Sequence, residues 1–165
     1  CPRQGRGTEA DRLIMEKSFH VEFITPDKSV FEGEATSVVL QAEGGSLGIR
    51  AGHAPMVATL EVGAARVDTA DGEQVVMMIG DGFLEVRDNQ VKVLAELGEL
   101  RDEIDLARAE EAERRALARL KDRAGAEVDF NRAKASLTRA MTRIKILRDL
   151  APGRLQGKPR DPRGG

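Results

Sequence analysis

The chain has 165 residues, 41% hydrophobic and 33% charged, and a formal net charge of −2. This composition supports a packed core and is too apolar for a disordered chain. No apolar run exceeds the five residues from Val75 to Ile79, which argues against a membrane-spanning helix or a signal-peptide core. With no Trp, no Tyr and five Phe, little aromatic surface is available to stack nucleobases, so a nucleic-acid partner is disfavoured. The single cysteine, Cys1, cannot form an internal disulfide.

Charge and glycine content both change near residue 100. Residues 15–100 hold 6 basic and 15 acidic side chains, a balance of −9, whereas residues 101–150 hold 13 and 10, a balance of +3. Ten glycines fall in the first of these segments, but only Gly125 falls in the second. We therefore predict two domains that meet near residue 100. Residues 1–14 are predicted to be a disordered leader or non-native extension, and the Pro/Gly/Arg-rich residues 151–165 a disordered tail.

The first half of the chain reads as short strands. Apolar and polar residues alternate over residues 19–24, and further β-rich runs cover residues 37–42, 64–69, 74–79, 83–87 and 90–96. Asp71-Gly72 and Asp88-Asn89 are typical of tight hairpin turns. Evenly spaced short strands without intervening helical patterns predict an antiparallel sandwich or barrel.

The second half changes to a helical period. Apolar residues step by three and four in two stripes: Leu106, Ala109, Ala112, Ala116, Leu120 and Ala124, then Phe130, Ala133, Leu137, Ala140, Ile144 and Leu147. Asp105 and Asp129 occupy the expected N-cap positions, and Gly125 is expected to close the first helix. A short connection predicts an antiparallel hairpin. Because the first stripe is mostly alanine, it buries little area and should hold the hairpin weakly.

Two segments stand out as candidate sites, since no nucleophile–base set, metal-ligand cluster or phosphate-loop motif is present. Gly80-Asp81-Gly82 begins like a dinucleotide-binding fingerprint, but Glu85 replaces the third glycine and the run joins two predicted strands, so we interpret it as a plain turn. The first segment, residues 43–55, holds four glycines and ends in His53-Ala54-Pro55, which predicts a turn that restarts a strand. On spacing alone, a long sandwich loop is the favoured interpretation.

The second segment begins the first helix. Asp105 and Arg108 lie there, while Arg139 and Arg143 are one turn apart on the second helix and share a face. An anion held between the arginines is one interpretation. The other is that Asp105 caps the helix and the arginines pair with surface acids or water.

Three runs make the chain recognisable: FHVEFITPD at 19–27, the glycines and Gly-His-Ala-Pro of residues 44–55, and GDGFLEV at 80–86. Together they resemble the epsilon subunit of bacterial-type F-type ATP synthases, equivalent to the mitochondrial delta subunit, in order and spacing over residues 15–150. The resemblance implies a β-sandwich of about ten antiparallel strands followed by a C-terminal antiparallel two-helix hairpin, in agreement with the patterns above.

The resemblance also implies a role without catalysis. Such a subunit belongs to the central stalk, binds the gamma subunit and the c-ring, and couples proton flow to ATP synthesis. Its extended helices reach alpha and beta and oppose ATP hydrolysis. It is peripheral to the membrane, on the cytoplasmic face of the bacterial inner membrane, and requires no cofactor, although ATP can act as a regulator.

Site residues carry over by matching position. The resemblance implies a c-ring-facing loop that includes Glu43, Gly44, Gly45, Ser46, Gly48, Gly52, His53 and Pro55. It implies a regulatory ATP site, through the family's I/L-D-x-x-R-A motif and the second-helix arginines, that includes Glu99, Ile104, Asp105, Arg108, Ala109, Arg115, Arg139 and Arg143. Two positions depart from the family: Ser46 replaces an acidic residue of some members, and Ala51 replaces a common proline.

An alternative function remains open on the sequence alone. An autonomous ligand-binding β-sandwich module with a helical dimerisation hairpin would share this composition. It predicts a stable homodimer through the alanine stripe and no affinity for gamma or the c-ring. A freestanding hydrolase is disfavoured because the chain lacks a nucleophile–base pair.

Overall fold

A computed structural model of the chain describes residue 9, residues 17–122 and residues 127–150. Nine strands come first: β1 (Phe19–Ile24), β2 (Ser29–Ala42), β3 (Gly45–Arg50), β4 (Met56–Leu60), β5 (Gly63–Thr69), β6 (Gln74–Ile79), β7 (Gly82–Arg87), β8 (Gln90–Ala95) and β9 (Gly98–Leu100). A 3₁₀ turn (Arg101–Glu103) then leads into helices α1 (Leu106–Lys121) and α2 (Glu127–Asp149). The described part of the chain thus has the predicted sandwich and helical pair, with nine strands rather than about ten.

The strands form one hydrogen-bonded sheet that folds on itself into a sandwich. Its order is β1-β8-β7-β4-β2-β5-β6-β9, with β3 added to β2 and β1 also paired with β2. The long strand β2 contributes to both layers, because it pairs with β1, β3, β4 and β5 along its length. The expectation of purely antiparallel pairing is wrong at one place, since β1 runs parallel to β8.

The core lies between the two layers and follows from the period of the strands. Alternate side chains point to opposite faces, so Phe19, Val21 and Phe23 of β1 all enter the core. Strand β6 is the exception to alternation, with four consecutive buried residues. Met77 and Ile79 face the sandwich interior, whereas Val76 and Met78 face a second cluster with Ile104 and Ile146. The second cluster is where the helices rest on the sheet.

The predicted turns are confirmed, and one predicted loop is corrected. Gly72 has a φ of 87°, and both Asp88 (50°) and Asn89 (57°) adopt the left-handed conformation. Residues 43–55 are not a long loop, because β3 pairs with β2 from Ala42↔Gly45 to Ser37↔Arg50. The sequence shows no clear strand pattern here, because β3 is glycine-rich and only Ile49 of this strand is fully buried. As predicted, a strand, β4, begins directly after Pro55.

The helices confirm one of the predicted caps. The Asp105 side chain accepts a hydrogen bond from Arg108 N at 3.0 Å and caps α1. Asp129 is not a cap, since it lies inside α2. Helix α1 ends at Lys121, before Gly125 and Ala124, which lie outside the described residues, as do residues 1–8, 10–16 and 151–165.

Alanine dominates the contact between the two helices. The buried residues there are Ala109, Ala116, Ala133, Ala140 and Ile144. Arg148 Nη2 donates to Glu110 Oε1 at 2.8 Å, so the end of α2 lies beside the start of α1 and the pair is antiparallel. The predicted apolar stripes are wrong at their first residues, because Leu106 and Phe130 are exposed. They also omitted Ile146, which is fully buried against the sheet.

Candidate functional site

A cavity of about 520 Å³ opens where the sandwich meets the helices. Strand β9, the 3₁₀ turn and the first turns of α1 form one side, and α2 contributes Arg143. Six of the predicted ATP-site residues line it: Glu99, Asp105, Arg108, Ala109, Arg115 and Arg143. Chain segments that are distant in sequence therefore bring these side chains together.

Arg143 is held in place by Glu99. Its Nε donates to Glu99 Oε2 at 2.6 Å, and both side chains are about three-quarters buried. A charge-assisted hydrogen bond of this kind fixes the guanidinium against the sheet. In contrast, among the described residues neither the Arg108 nor the Arg115 side chain has an ion-pair partner. The Arg108 guanidinium beside the N-terminus of α1 favours an anion, and Arg115, further along the same helix, adds a second positive charge to the cavity.

Lys28 and Glu103 also line the cavity, and they pair with each other. Lys28 Nζ donates to both Glu103 carboxylate oxygens, at 2.9 and 3.1 Å, and Leu100 N donates to Glu103 Oε2 at 3.0 Å. The hydrogen bond from Lys28, helped by the Leu100 amide, lowers the pKa of Glu103. This pair connects the β1–β2 turn of the sandwich with the 3₁₀ turn that precedes α1.

Two predicted ATP-site residues lie elsewhere. Ile104 is buried in the second cluster with Val76 and Met78, and Arg139 is absent from the lining of the cavity. Five further residues line the cavity although no sequence motif marks them as site residues: Lys28, Leu97, Gly98, Glu103 and Ala112. Lys28 left no local signal, because it is 75 residues away from Glu103 in the chain.

The segment predicted to face a ring, residues 43–55, forms an exposed hairpin arm. Gly44 and Gly45 turn the chain with φ of 89° and 142°, and Gly52 makes a second turn with φ of 75°. Glu43, Gly44, Ser46, Gly48, Gly52 and Pro55 are exposed, while Gly45 and His53 are half-buried. His53 Nδ1 lies 2.7 Å from Ala54 O. A Cβ built at Gly48 meets no other atom within 4 Å, so its surface is open to a partner.

An exposed apolar patch covers the outer face of β4, β7 and β8. Val57 is 72% exposed, Phe83 59% and Leu94 49%. Phe83 pairs with Leu94 on one side and with Thr59 on the other, and Val57 shares a face with Thr59. The carboxylates around Phe83 belong to Glu43, Glu61, Asp81 and Glu96. No sequence pattern predicts this patch, because buried and exposed apolar residues look alike in a strand.

Fold and site together define a class of protein: a β-sandwich that carries a helical hairpin and has an arginine-lined cavity at their junction. A family model described as "ATP synthase, Delta/Epsilon chain, beta-sandwich domain" matches residues 18–100. A second, described as the long alpha-helix domain of the same chain, matches residues 102–148. The chain belongs to the ATP synthase delta/epsilon chain family and is thus a subunit of an enzyme complex.

Curated relatives carry the same description. The ATP synthase epsilon chain of Macrococcus caseolyticus is 42% identical over 127 residues, which are 76% of this chain and 93% of the relative. The epsilon chain of Priestia megaterium is 49% identical over 104 residues, 63% of this chain and 77% of the relative. The resemblance noted from the sequence is confirmed.

Solved structures share the fold at low identity. A chain of the Euglena gracilis mitochondrial ATP synthase, solved as an OSCP/F1/c-ring assembly, matches with a TM-score of 0.68 and 18% identity. That match covers 86% of this chain and 96% of the other. A chain of the Tetrahymena thermophila central stalk and c-ring matches with a TM-score of 0.53 and 15% identity, covering 78% and 95%.

Three further observations bear on the other classes considered. No helix among the described residues is long and apolar enough to cross a bilayer. The described His, Cys, Asp and Glu side chains form no group that could hold a metal ion. Ala109, Ala116, Ala133 and Ala140 are at most 3% exposed within a single chain, so this stripe is not free to form the homodimer of the alternative hypothesis.

Proposed function

We propose that this chain is the rotor subunit that joins gamma to the c-ring of a proton-driven ATP synthase. It has no catalytic role of its own and lies peripherally on the cytoplasmic face of the bacterial inner membrane. The observation that carries the proposal is the family match over both the sandwich and the helices. The Euglena and Tetrahymena assemblies, which both include a c-ring, support it at the level of the fold.

Gamma docks on the patch formed by Val57, Phe83 and Leu94. An exposed aromatic residue with aliphatic neighbours and a polar rim has the anatomy of an interface centre. The rim is acidic here, since Glu43, Glu61, Asp81 and Glu96 surround Phe83. Charge complementarity then calls for a partner surface that combines apolar and basic residues, and it would speed association at low salt.

The test is Phe83→Ser, with Phe130→Ser as the matched control. Both phenylalanines are more than half exposed, but Phe130 lies on α2, away from the patch. Loss of an aromatic anchor at an interface centre should weaken gamma binding by about tenfold or more. We expect this for Phe83→Ser alone in a titration of purified gamma, with unfolding temperatures of both variants close to wild type. Equal affinities for both variants would remove the patch from the gamma interface.

The ring contact is assigned to residues 43–55. Their hairpin arm projects exposed glycines, and the backbone of such residues is accessible to a polar partner loop. Ser46 is exposed and stands where some members carry an acidic residue, so backbone and His53 contacts would dominate here.

A second function, regulatory ATP binding, is favoured by the cavity between sandwich and helices. Arg108, Arg115 and Arg143 supply guanidinium forks for phosphates, and the start of α1 adds its dipole. Glu99 and Asp105 are acceptors within the same cavity, suited to ribose or base donors. Because the lining comes from both helices and the sheet, ATP would bind only the folded hairpin and shift the population toward it.

A further inference from the structure

The ring-facing arm contains a turn with one backbone donor left over. His53 N donates to Arg50 O at 3.2 Å, and Gly52 at the third position has a φ of 75°. This is the pattern of a type II turn, in which the amide of the third residue has no acceptor within the turn. The Gly52 N–H must therefore bond to water or to another part of the chain.

Asn89, from the β7–β8 turn, accepts that hydrogen bond. Its Oδ1 receives the Gly52 N–H at 2.9 Å across 37 residues of sequence. Its Nδ2 donates to Ser18 O at 2.9 Å, and its own carbonyl accepts from His20 N at 3.3 Å. One amide side chain thus ties together the entry to β1, the β7–β8 turn and the arm.

We infer that Asn89 is a positioning residue for the ring-facing arm. Its side-chain amide fixes the turn of residues 50–53, and so fixes how Gly52 and His53 are presented to the ring. The inference rests on the proposed function for the identity of the partner, but the positioning itself is a property of this chain. The Asn89 backbone itself is left-handed, with a φ of 57°, a conformation that asparagine tolerates better than most residues.

Asp88 provides a matched control. It is the other left-handed residue of the same turn, with a φ of 50°. Its carboxylate pairs with Arg87 Nε at 3.3 Å, an ion pair exposed on both sides, and takes no part in the bonds to the arm. Glycine tolerates left-handed backbone, so Asn89→Gly and Asp88→Gly relax the turn alike. The two variants differ in the loss of the bridging amide.

The first measurement is amide hydrogen exchange of Gly52 in the full chain, with its amide chemical shift as a second readout. Removal of one hydrogen bond should speed exchange by about fivefold in Asn89→Gly. Asp88→Gly should leave both readouts at wild-type values. Equal exchange rates at Gly52 in the two variants would overturn the inference.

The second measurement is proton-driven ATP synthesis by a reconstituted complex, with Gly48→Val as the reference for a damaged ring contact. Gly48 has no neighbour within 4 Å of a built Cβ, so valine there disturbs a partner rather than the fold. We expect Asn89→Gly and Gly48→Val to lower synthesis with gamma binding retained. If Gly48→Val lowers synthesis and Asn89→Gly does not, the positioning role is overturned while the proposed function stands. If neither lowers it although Gly52 exchange is faster, positioning is supported and the ring contact is contradicted.

Discussion

Arg108 is the side chain on which regulation by ATP is most directly testable. It sits in the first turns of α1 and lines the cavity, and its backbone amide already satisfies the Asp105 cap. Its guanidinium is therefore available for phosphate without loss of the cap. Arg143 is less simple to interpret, because its removal also leaves the three-quarters-buried Glu99 carboxylate without a partner.

We expect Arg108→Ala to abolish protection of the hairpin by millimolar ATP in limited proteolysis. ATP at a hundred times its Kd contributes about 2.7 kcal/mol to the folded hairpin. Arg114→Ala is the control, since Arg114 pairs with Glu111 on the same helix and is absent from the cavity lining. Calorimetry that shows no ATP binding to the wild-type chain at several millimolar would leave Arg108 as a surface residue.

At the scale of elements, polar contacts at the 3₁₀ turn add to the apolar cluster that joins the sandwich to the helices. The Lys28–Glu103 pair and a hydrogen bond from Arg101 Nη2 to Leu147 O at 3.1 Å bracket the 3₁₀ turn. The lowered pKa of Glu103 means that the ionised carboxylate stabilises the folded state relative to the unfolded state. The stabilisation is therefore present above the unfolded pKa and is lost as pH falls through the lower, folded value.

Glu103→Gln should lower the free energy of unfolding of the docked hairpin at pH 7 by about 0.5 kcal/mol or less, because the pair is exposed to solvent. The difference from wild type should disappear at acid pH, once the pH lies below the lowered folded pKa and the wild-type carboxyl is also protonated. Asp102→Asn is the control, since the Asp102 side chain is 92% exposed and its Oδ1 lies as far as 4.0 Å from Arg101 Nη1. Hydrogen exchange of the α2 amides at the two pH values measures the effect, and a pH-independent difference would contradict it.

Local pattern was enough to predict some elements but not others. Strands β1, β6 and β8 were predicted because their apolar residues are strong β-formers. Strand β9 was missed because its three residues are only half-buried and pair with β6 alone. The parallel β1–β8 pairing has no local signal at all, since it depends on the closure of the whole sheet.

The same distinction applies to the candidate site. Asp105, Arg108 and Arg143 were identifiable from motif and helical spacing. Arg139 does not line the cavity, because one turn along α2 is enough to carry a side chain away from it. Lys28 could only be found in three dimensions.

At the scale of the whole molecule, the two halves carry opposite charge. The sandwich segment has a balance of −9 and the helical segment +3. We therefore expect a basic hairpin that is released from the acidic sandwich to bind acidic surfaces, which we propose belong to alpha and beta, and we expect salt to screen the attraction. The positive residues of α2 that would meet them are Lys134, Arg139, Arg143, Lys145 and Arg148.

Deletion of the chain from residue 101 onward should raise ATP hydrolysis by the assembled complex while synthesis persists. The sandwich core cluster is formed by strands alone, so residues 15–100 are expected to fold and bind gamma without the helices. Cooperative thermal unfolding of that fragment is the control, although Val76 and Met78 lose their cover from Ile146. If hydrolysis is unchanged while the fragment folds and assembles, the hairpin of this chain does not inhibit.

The parallel pairing of β1 with β8 also governs the order of events during synthesis on the ribosome. Strand β1 can form a hairpin with β2 as soon as both have emerged, but its other edge pairs with residues 90–94. Until β8 has emerged from the ribosome, the nascent chain presents an open edge of β1, which is a template for pairing with another chain. Contacts this distant in sequence form slowly. The newly made subunit is therefore most vulnerable to aggregation just before its last large strand leaves the exit tunnel.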